Sequence, residues 1–494
     1  MATAAHHNRS SRTPQAGITT ILVIGFMGIF MLVLGSVTSY AFQQAKFGRA
    51  LFAREQAIHI AEAGLEYYRW YLAHNPSVMV SGSGLVSPYA YAVSDPEGGA
   101  VGSATVTATP NIQCGAVQWM DLTSVGRSNA GVGFPRTLAA RYMRPSVAEY
   151  SYIVGGNVWA GSDRDIKGPY HSNGGVIMDA TSNADVTSSV STWWCDSAFS
   201  SSQCPSGADK PGVWGDGSGD VLWKYPVSTI DFAGMGVDLA NLKTKVQTGG
   251  GIYYGPASGS ANSRGYHLIF NSNGTVTVKR VTQTTAVYGY SQQGGVYAYR
   301  LEYNIITAGY ETTLGTYAIP STCSVIYTED RTWIEGVVKG KVTVAASTPS
   351  DTGSAPDIIL RNNITYASGP DTDGLTAIAE GSILIPLDSP NYMEIHGIFI
   401  AQNGRYARNA YTTSGSKAVP PEYRTTAYIT PAQLTTVGTV VSLERTGTAW
   451  MNNGVVASGY QNRYDYYDRV LAFSPPPFTS ATSVDYRLAL WREQ

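Results

Sequence analysis

Aspartates close to a histidine are the first residues in the chain whose types could do chemistry. His171 follows Asp163 and Asp165, and carboxylate and imidazole groups held together can transfer protons during polysaccharide cleavage. Aspartates are also frequent in tight turns, where they tolerate the bend and bond their own backbone. We expect the turn role here, and therefore a protein that is not an enzyme.

A second acidic motif, Asp371-Thr372-Asp373-Gly374, is similar to the start of a calcium loop. Such a loop continues with an oxygen ligand and ends in a glutamate, whereas Leu375 and Ser382 stand at those positions. The four cysteines form no CxxC pair and lie beside no histidine. The sequence therefore predicts no metal site and no cofactor.

The cysteines are better candidates for disulfides. Cys195 and Cys204 flank a short loop, and outside the cytoplasm this spacing predicts a local bridge. Cys114 and Cys323 are the two cysteines that then remain, and this is the only reason to consider a bridge between them.

Tyrosines at alternate positions are the better candidates for binding. Tyr288 and Tyr290 are two residues apart, as are Tyr297 and Tyr299, so each pair would share one face of a strand. A tyrosine ring offers a flat apolar surface and a hydroxyl at small entropic cost, which suits a glycan or a protein partner. The alternative is that half of these side chains belong to the core.

An uncharged stretch near the N-terminus would hold these residues at a membrane. Ile18 to Phe42 is 25 residues without a charged side chain, enough to cross a hydrocarbon core of ~30 Å. Arg9 and Arg12 precede it without an acidic residue. This pattern predicts a single-pass protein of the cytoplasmic membrane, with its N-terminus in the cytoplasm and its bulk extracytoplasmic.

The helix of the span is predicted to continue beyond the membrane. No proline interrupts the chain between Pro14 and Pro76, and apolar residues recur there at helical spacing. This row comprises Leu51, Ile58, Ala61, Leu65, Tyr68 and Leu72. We expect one rod of roughly 80 Å, with the row packed against another element.

Three features of this region together resemble type IV pilins and pseudopilins. They are a short basic leader ending in Gly17, the uncharged span, and the motif Ala61-Glu62-Ala63-Gly64-Leu65-Glu66. The resemblance is closest to large minor pilins with an N-terminus of the fimbrial biogenesis X type. It implies cleavage after Gly17 by a prepilin peptidase, methylation of Ile18, and assembly with other pilin subunits and the inner-membrane machinery. An uncleaved signal anchor is the alternative.

Leu22 departs from the pattern of subunits that form a filament shaft, which carry a glutamate at this position. That carboxylate pairs, inside the bilayer, with the terminal amine of the subunit assembled before it, because an unpaired charge there is costly. A subunit assembled first meets no such amine, so the resemblance implies a place at or near the tip. The expected helix-packing residues are Leu22, Leu51, Ile58, Ala61 and Leu65.

Changes in pattern along the chain predict six segments and an α+β, mainly β fold. They are a leader (1–17), a transmembrane and amphipathic helix (18–75), a pilin-like β module (76–148), a first solenoid part with the cysteine loop (149–227), an α+β insertion (228–320), and a main solenoid with a C-terminal tail (321–494). The insertion is predicted to contain a helix from Val237 to Val246 and a hairpin around Asn271-Ser272-Asn273-Gly274.

Very short strands separated by Gly, Asn, Ser and Asp predict the β-solenoid. After residue 330 they recur roughly every 20 residues, the length of one coil. Val337 to Val344 is expected to form one strand. Its inward side chains would be Val338, Val342 and Val344, and its outward side chains Lys339, Lys341 and Thr343. A β-sandwich is the alternative, because it also has closely spaced short strands.

Composition and charge give no reason to expect a nucleic-acid partner. Charged residues make up 14% of the chain and the formal net charge is -2, so no nucleic-acid partner is expected. The sequence favours a minor pilin-like subunit that primes assembly or acts as a tip adhesin, with a surface glycan or protein as ligand. The alternatives are a membrane-anchored solenoid enzyme acting on polysaccharide and a passive envelope protein with an uncleaved anchor.

Overall fold

The structure is a computed structural model that describes residues 16–130, 134–197, 199–200, 202–350, 355–369, 371–452 and 455–494. The predicted leader lies outside the described residues as far as residue 15. Over the described residues the helices are α1 (Ala16–His74), α2 (Pro76–Ser81), α3 (Phe232–Met235), α4 (Leu239–Gly249), α5 (Thr426–Ile429) and α6 (Arg469–Phe473).

The strands of the first half of the chain are β1 (Tyr89–Ser94), β2 (Ala100–Gln113), β3 (Ala116–Ser128), β4 (Arg136–Met143), β5 (Tyr152–Val154), β6 (Val158–Ala160), β7 (Arg164–Ile166), β8 (Tyr170–Ser172), β9 (Val176–Met178), β10 (Thr181–Ser182), β11 (Val186–Ser188), β12 (Thr192–Cys195), β13 (Ala208–Pro211), β14 (Val213–Trp214) and β15 (Trp223–Lys224). Those of the second half are β16 (Ile252–Tyr254), β17 (Gly265–Asn271), β18 (Thr275–Val281), β19 (Thr284–Gln293), β20 (Val296–Ile306), β21 (Glu311–Ala318), β22 (Val325–Thr328), β23 (Thr332–Val338), β24 (Lys341–Ala346), β25 (Ile358–Tyr366), β26 (Gly374–Ala379), β27 (Ile383–Leu384), β28 (Tyr392–Ala401), β29 (Tyr406–Ala407), β30 (Gln433–Ser442), β31 (Ala449–Asn452), β32 (Val455–Gly459), β33 (Asn462–Tyr466) and β34 (Arg487–Glu493). The predicted α+β, mainly β class is confirmed.

Helix α1 is one rod of 59 residues, about 90 Å long at helical rise. It ends at His74 because Asn75 precedes Pro76, and the residue before a proline disfavours helical backbone. Its residues from 18 to 49 are exposed. Of the described residues, α1 is the one helix long and apolar enough to span a membrane. The predicted continuous rod is therefore confirmed.

The C-terminal half of α1 packs on a five-stranded antiparallel sheet, which we call the anchor sheet. Its strand order is β1-β2-β3-β4-β34. The last strand of the chain thus returns to a sheet that is otherwise made of residues 89–143. The predicted segments named a C-terminal tail after the main solenoid and gave it no place in the β module.

The apolar row on α1 covers the anchor sheet. Ala61, Leu65, Tyr68 and Leu72 are buried with sheet residues such as Met120. Ile58 packs at the edge of this core. Leu51 remains 43% exposed, so the anchor sheet does not cover it.

Small residues allow the helix to lie close to the sheet. A Cβ atom on Gly64 would lie 2.6 Å from the Cβ of Ala104, and one on Gly126 would lie 2.1 Å from the carbonyl oxygen of Ala57. Both distances are far below van der Waals contact. The Ala61–Leu65 motif is therefore required for the close packing of helix on sheet.

Beyond the anchor sheet, parallel strands stack into coils that form a solenoid. Tyr152 pairs with Tyr170 and Tyr170 with Val186, so successive coils there take 18 and 16 residues. Farther along, Thr376 pairs with Ile398, a step of 22 residues. A β-sandwich would have antiparallel sheets instead. The inward side chains of the coils form one continuous apolar core.

The two solenoid parts form one stack, joined in the reverse of their order in the chain. The late strands β30 and β33 pair in parallel with the early strands β5 and β7. We call this junction the seam. From β15 the chain passes to the other end of the stack through α3 and α4. These two helices cover an outward apolar row that includes Val325, Ile378 and Ile153.

The segment 228–320 contains the predicted helix, now α4, and the predicted hairpin, β17 and β18. Gly274 closes its turn with a φ of 85°, which favours glycine. Its strands β16 and β17 pair in parallel with β22 and β23 of the solenoid, so the segment is continuous with it.

Residues 337–344, expected as one strand, belong to two strands, β23 and β24, with a turn at Gly340. The predicted inward residues Val338, Val342 and Val344 are buried in the core. Thr343 points outward but is fully buried, because the segment that contains Pro477 covers it and accepts its hydroxyl hydrogen bond.

A disulfide between Cys114 and Cys323 joins the anchor sheet to the solenoid. Around it, the amide of Cys114 donates to the carbonyl of Thr322 (2.9 Å), and the Gln113 side chain bonds Ser321 and Ser324. A second disulfide closes the loop between Cys195 and Cys204. The first disulfide thus connects the anchor sheet to the head, and the second is local to the head.

We predict that Gly126→Ala destabilises the protein by about 2 kcal/mol or more, because the added methyl group must displace the backbone of α1. Gly48→Ala on the exposed part of α1 is the control, since nothing lies within 4 Å of its Cβ position. Chemical unfolding of the full chain in detergent, followed by circular dichroism, would compare them. Equal stabilities for the two variants would contradict the close packing of helix on sheet.

Candidate functional site

The four predicted tyrosines lie on the hairpin of β19 and β20, which projects from the solenoid. The ring centroid of Tyr290 is 5.1 Å from that of Tyr299 and 6.0 Å from that of Tyr297. Tyr288 is separate from this group and lies under the ammonium of Lys417, 3.8 Å from its ring centroid. None of the four is buried, so the alternative that half of them belong to the core is wrong.

Tyr290 and Tyr297 line a cavity of about 360 Å³ between this hairpin and the seam of the solenoid. We call it the arginine–aromatic cavity. The other aromatic and arginine side chains that line it are Trp159, Phe199, Trp450, Arg405, Arg445 and Arg463. They come from β6, the cysteine loop, β31 and the ends of other coils. The fold thus brings one binding surface together from segments up to about 300 residues apart.

Sequence reasoning found two members of this cavity and missed the rest. Trp159 and Trp450 had no pattern that set them apart, and Arg445 lies in a loop between strands. The available signal was residue type alone, since tryptophan, tyrosine and arginine are enriched at binding surfaces. Which of them meet depends on how the two solenoid parts join.

The side chains of His171, Asp163 and Asp165 each bond other residues rather than one another. His171 is 2% exposed and its ring nitrogens contact Thr187 and Asn173, both at 2.9 Å. Burial lowers the pKa of His171. Asp163 is paired with an arginine of β33 and Asp165 with Lys167. Asp163 is thus used in a contact between residues 300 positions apart, and Asp165 in a local one.

The calcium-like motif is also occupied by the protein itself. The carboxylate of Asp373 accepts bonds from the amides of Gly340 (2.8 Å), Ser368 (2.6 Å) and Gly369 (3.2 Å). Burial raises the pKa of Asp373, but these amides outweigh it and the net shift is downward. Across the part of the chain that the structure describes, no group of three His, Cys, Asp or Glu residues could hold a metal ion.

A buried histidine between two glutamates is the other cluster that could do chemistry. His267 is fully buried, with Nδ1 2.5 Å from Glu311 Oε1 and Nε2 3.0 Å from Glu335 Oε1. Lys279 and Arg361 pair with the two glutamates from outside. Each carboxylate therefore has two cationic partners, and the cluster links β17, β21 and β23.

The charges of this cluster depend on one another. Burial lowers the pKa of His267, but the hydrogen bonds and charges of Glu311 and Glu335 outweigh it and raise the pKa overall. The hydrogen bond from His267 is the main reason that the pKa of Glu311 falls to about 2. The imidazolium form is thus the one that the fold stabilises.

Comparisons with known proteins find similarity in structure but not in sequence. No family model matches the chain, and no curated protein matches it. The crystal structure of the competence-associated pilin ComZ from Thermus thermophilus aligns over 90% of this chain and 97% of that chain, with 13% identity and a TM-score of 0.31. A TM-score of this size is no basis for assigning a fold or a function.

We predict that His267→Gln destabilises the protein most between about pH 4.5 and 6.5, by about 2 kcal/mol, because it removes the imidazolium between two partly buried glutamates. These glutamates then keep only Lys279 and Arg361 as cationic partners. The raised pKa of His267 gives stability that is complete below its unfolded value of 6.5 and is lost as pH rises through the folded value. The lowered pKa of Glu311 gives stability that is complete above 4.5 and is lost as pH falls toward 2.

Unfolding of the full chain across this pH range would test the prediction. His59→Gln is the control, because the side chain of His59 is 75% exposed and its exposed ion pair contributes little. A His267→Gln penalty that is the same at every pH from 4 to 9 would contradict an ionised cluster.

Proposed function

We propose that the chain is a subunit of a type IV pilus or a related filament, with a large head outside the membrane. The observation that carries the proposal is the uninterrupted helix of 59 residues. About 20 residues suffice to anchor a head in a bilayer, and the C-terminal half of α1 packs on the anchor sheet. Residues 18 to 49 are all exposed, so roughly ten of them are needed for neither task. That extra length, with the resemblance of the N-terminal region to pilins, supports a helix used for packing between subunits.

Exposed apolar side chains just beyond the predicted span support the same use. Phe47, Leu51 and Phe52 are exposed by 62%, 43% and 61%, and they follow the last residue of the span, Phe42. Apolar surface outside the bilayer favours contact with another protein. In the proposed filament, these side chains and Leu22 contact the helices of neighbouring subunits. Leu51, which the anchor sheet leaves exposed, then has an intermolecular role.

Leu22 further supports a minor subunit that is assembled first and stays near the tip. A leucine in place of the shaft glutamate leaves no carboxylate to pair with the amine of a preceding subunit. The proposed route is cleavage after Gly17 by a prepilin peptidase, methylation of Ile18, and extraction from the cytoplasmic membrane by the assembly machinery. At the tip, the head would prime assembly or adhere to a surface through the hairpin of β19 and β20, which we call the tyrosine hairpin.

The test compares Gly17→Leu with Gly25→Leu in the producing cells. Both glycines lie on α1 with nothing within 4 Å of their Cβ positions, so neither change disturbs packing within the chain. We expect Gly17→Leu to leave the protein in the membrane fraction, because the peptidase requires a glycine before the cut. Gly25→Leu should reach the sheared surface fraction, and antibody against the head should label filament ends.

Equal surface recovery of the two variants would contradict peptidase processing. Antibody label along the whole filament would contradict a place at the tip. The proposal that the chain is a filament subunit would still hold. A protein that never leaves the membrane fraction would favour an anchored envelope protein or an anchored polysaccharide enzyme.

A further inference from the structure

The arginine–aromatic cavity has an excess of positive charge. Its lining includes Arg405, Arg445 and Arg463 but a single carboxylate, that of Asp163. More distant carboxylates, first Glu444, raise the pKa of Arg405, but burial outweighs them and lowers it overall. The cavity therefore favours an anionic occupant over a neutral or cationic one.

Arg463 and Arg445 differ in the use of their guanidinium groups. Nε and Nη2 of Arg463 both donate to Asp163, at 2.6 and 2.7 Å. Arg445 instead donates from Nη1 alone, to the hydroxyl of Tyr297 (2.9 Å) and the carbonyl of Phe199 (3.1 Å). Among the described residues, no carboxylate pairs with Arg445 and no acceptor bonds its Nε or Nη2. The edge that binds a carboxylate in Arg463 is open in Arg445.

The open edge is held in position by its surroundings. The guanidinium carbon of Arg445 lies 3.9 Å from the ring centroid of Phe199, and the two Nη1 hydrogen bonds fix the direction of the fork. Burial lowers the pKa of Arg445, so its charge is left without full compensation. A guanidinium group that is fixed in direction and has no carboxylate partner suits a planar carboxylate, because the carboxylate accepts two parallel hydrogen bonds from Nε and Nη2.

Aromatic faces form the other part of the cavity. The rings of Tyr290 and Tyr297 are nearly parallel, with 19° between their planes, and the Trp450 indole stands edge-on to Tyr290 at 5.7 Å. The indole nitrogens of Trp159 and Trp450 already bond Asp179 and a backbone carbonyl. What remains open is flat apolar surface beside a charged fork.

We propose that the arginine–aromatic cavity binds a saccharide that carries a carboxylate. The carboxylate takes the Nε and Nη2 edge of Arg445, and the sugar ring packs on the tyrosine and tryptophan faces. The hydroxyl of Tyr297 accepts from Arg445, so its own proton is available to a sugar oxygen. A volume of about 360 Å³ is at the lower end of small-ligand sites, which fits one or two sugar rings. This ligand class rests on the proposed function only in that the head must lie outside the cell.

The experiment is calorimetric titration of the full chain in detergent. The probes are trigalacturonate and sialyllactose, with galactotriose and lactose as their neutral counterparts and tetraglutamate as an acidic peptide. We expect at least one acidic saccharide to bind about tenfold or more tightly than its neutral counterpart, because truncating or removing one partner of a buried charged pair has effects of that size. Tetraglutamate should bind more weakly than that saccharide.

Arg445→Gln should lower the affinity for the acidic saccharide by about tenfold or more. The weak affinity for the neutral counterpart should be unchanged. Lys417→Gln is the matched control, because Lys417 lies over Tyr288 and outside the cavity. Tyr297→Phe keeps the ring and removes the hydroxyl, and should weaken binding several-fold. It tests the same cavity if Arg445→Gln does not fold.

The proposal is overturned if neither acidic saccharide binds saturably, if neutral saccharides bind as tightly, or if tetraglutamate binds most tightly. Equal losses in Arg445→Gln and Lys417→Gln would also overturn it, since the charge effect would then be general. None of these results depends on processing at Gly17. A failure of the filament proposal would therefore be seen separately from a failure of the cavity.

Discussion

The head depends on the seam where the two parts of the solenoid meet. Two buried ion pairs cross it in opposite directions: Arg164 of the early part bonds Asp465 of the late part, and Arg463 of the late part bonds Asp163 of the early part. The side chains of Arg164 and Asp465 are 4% and 5% exposed, and Tyr152 also donates to Asp465 at 2.8 Å. Loss of one partner from such a pair costs about 3–5 kcal/mol. The pairs fix the register in which residues 433–466 meet residues 152–166.

Closure at the seam explains both the path of the chain and the place of the cavity. Because the last coil lies beside the first, the chain leaves the solenoid near its entry point, and β34 can join the anchor sheet beside β4. The same closure places Trp159, Trp450 and Arg445 next to one another below the tyrosine hairpin. The disulfide between Cys114 and Cys323 connects the anchor sheet to the part of the solenoid just before β22. A force on the head is therefore transmitted to α1 through covalent and sheet contacts.

Local patterns predicted local structure well. The rod α1, the hairpin turn at Gly274 and the inward valines of β23 and β24 each depend on residues close in sequence, so propensity and periodicity determine them. The register of the seam, the return of β34 and the burial of Thr343 depend on contacts between residues more than 100 positions apart. No periodic signal encodes such contacts in a single sequence. For the same reason, Tyr290 and Tyr297 were found as an alternating pair, while Arg445, which gives the cavity its chemistry, was not.

We propose that α1 serves first as a membrane anchor and then as the packing helix of a filament subunit. Mass spectrometry of the N-terminus of the protein recovered from the cell surface tests it most directly. If α1 is used in this way, the recovered chain begins at Ile18 and carries one methyl group on its terminal amine. A surface protein that retains residues 1–17 would contradict it, because an unprocessed leader keeps the helix in the membrane.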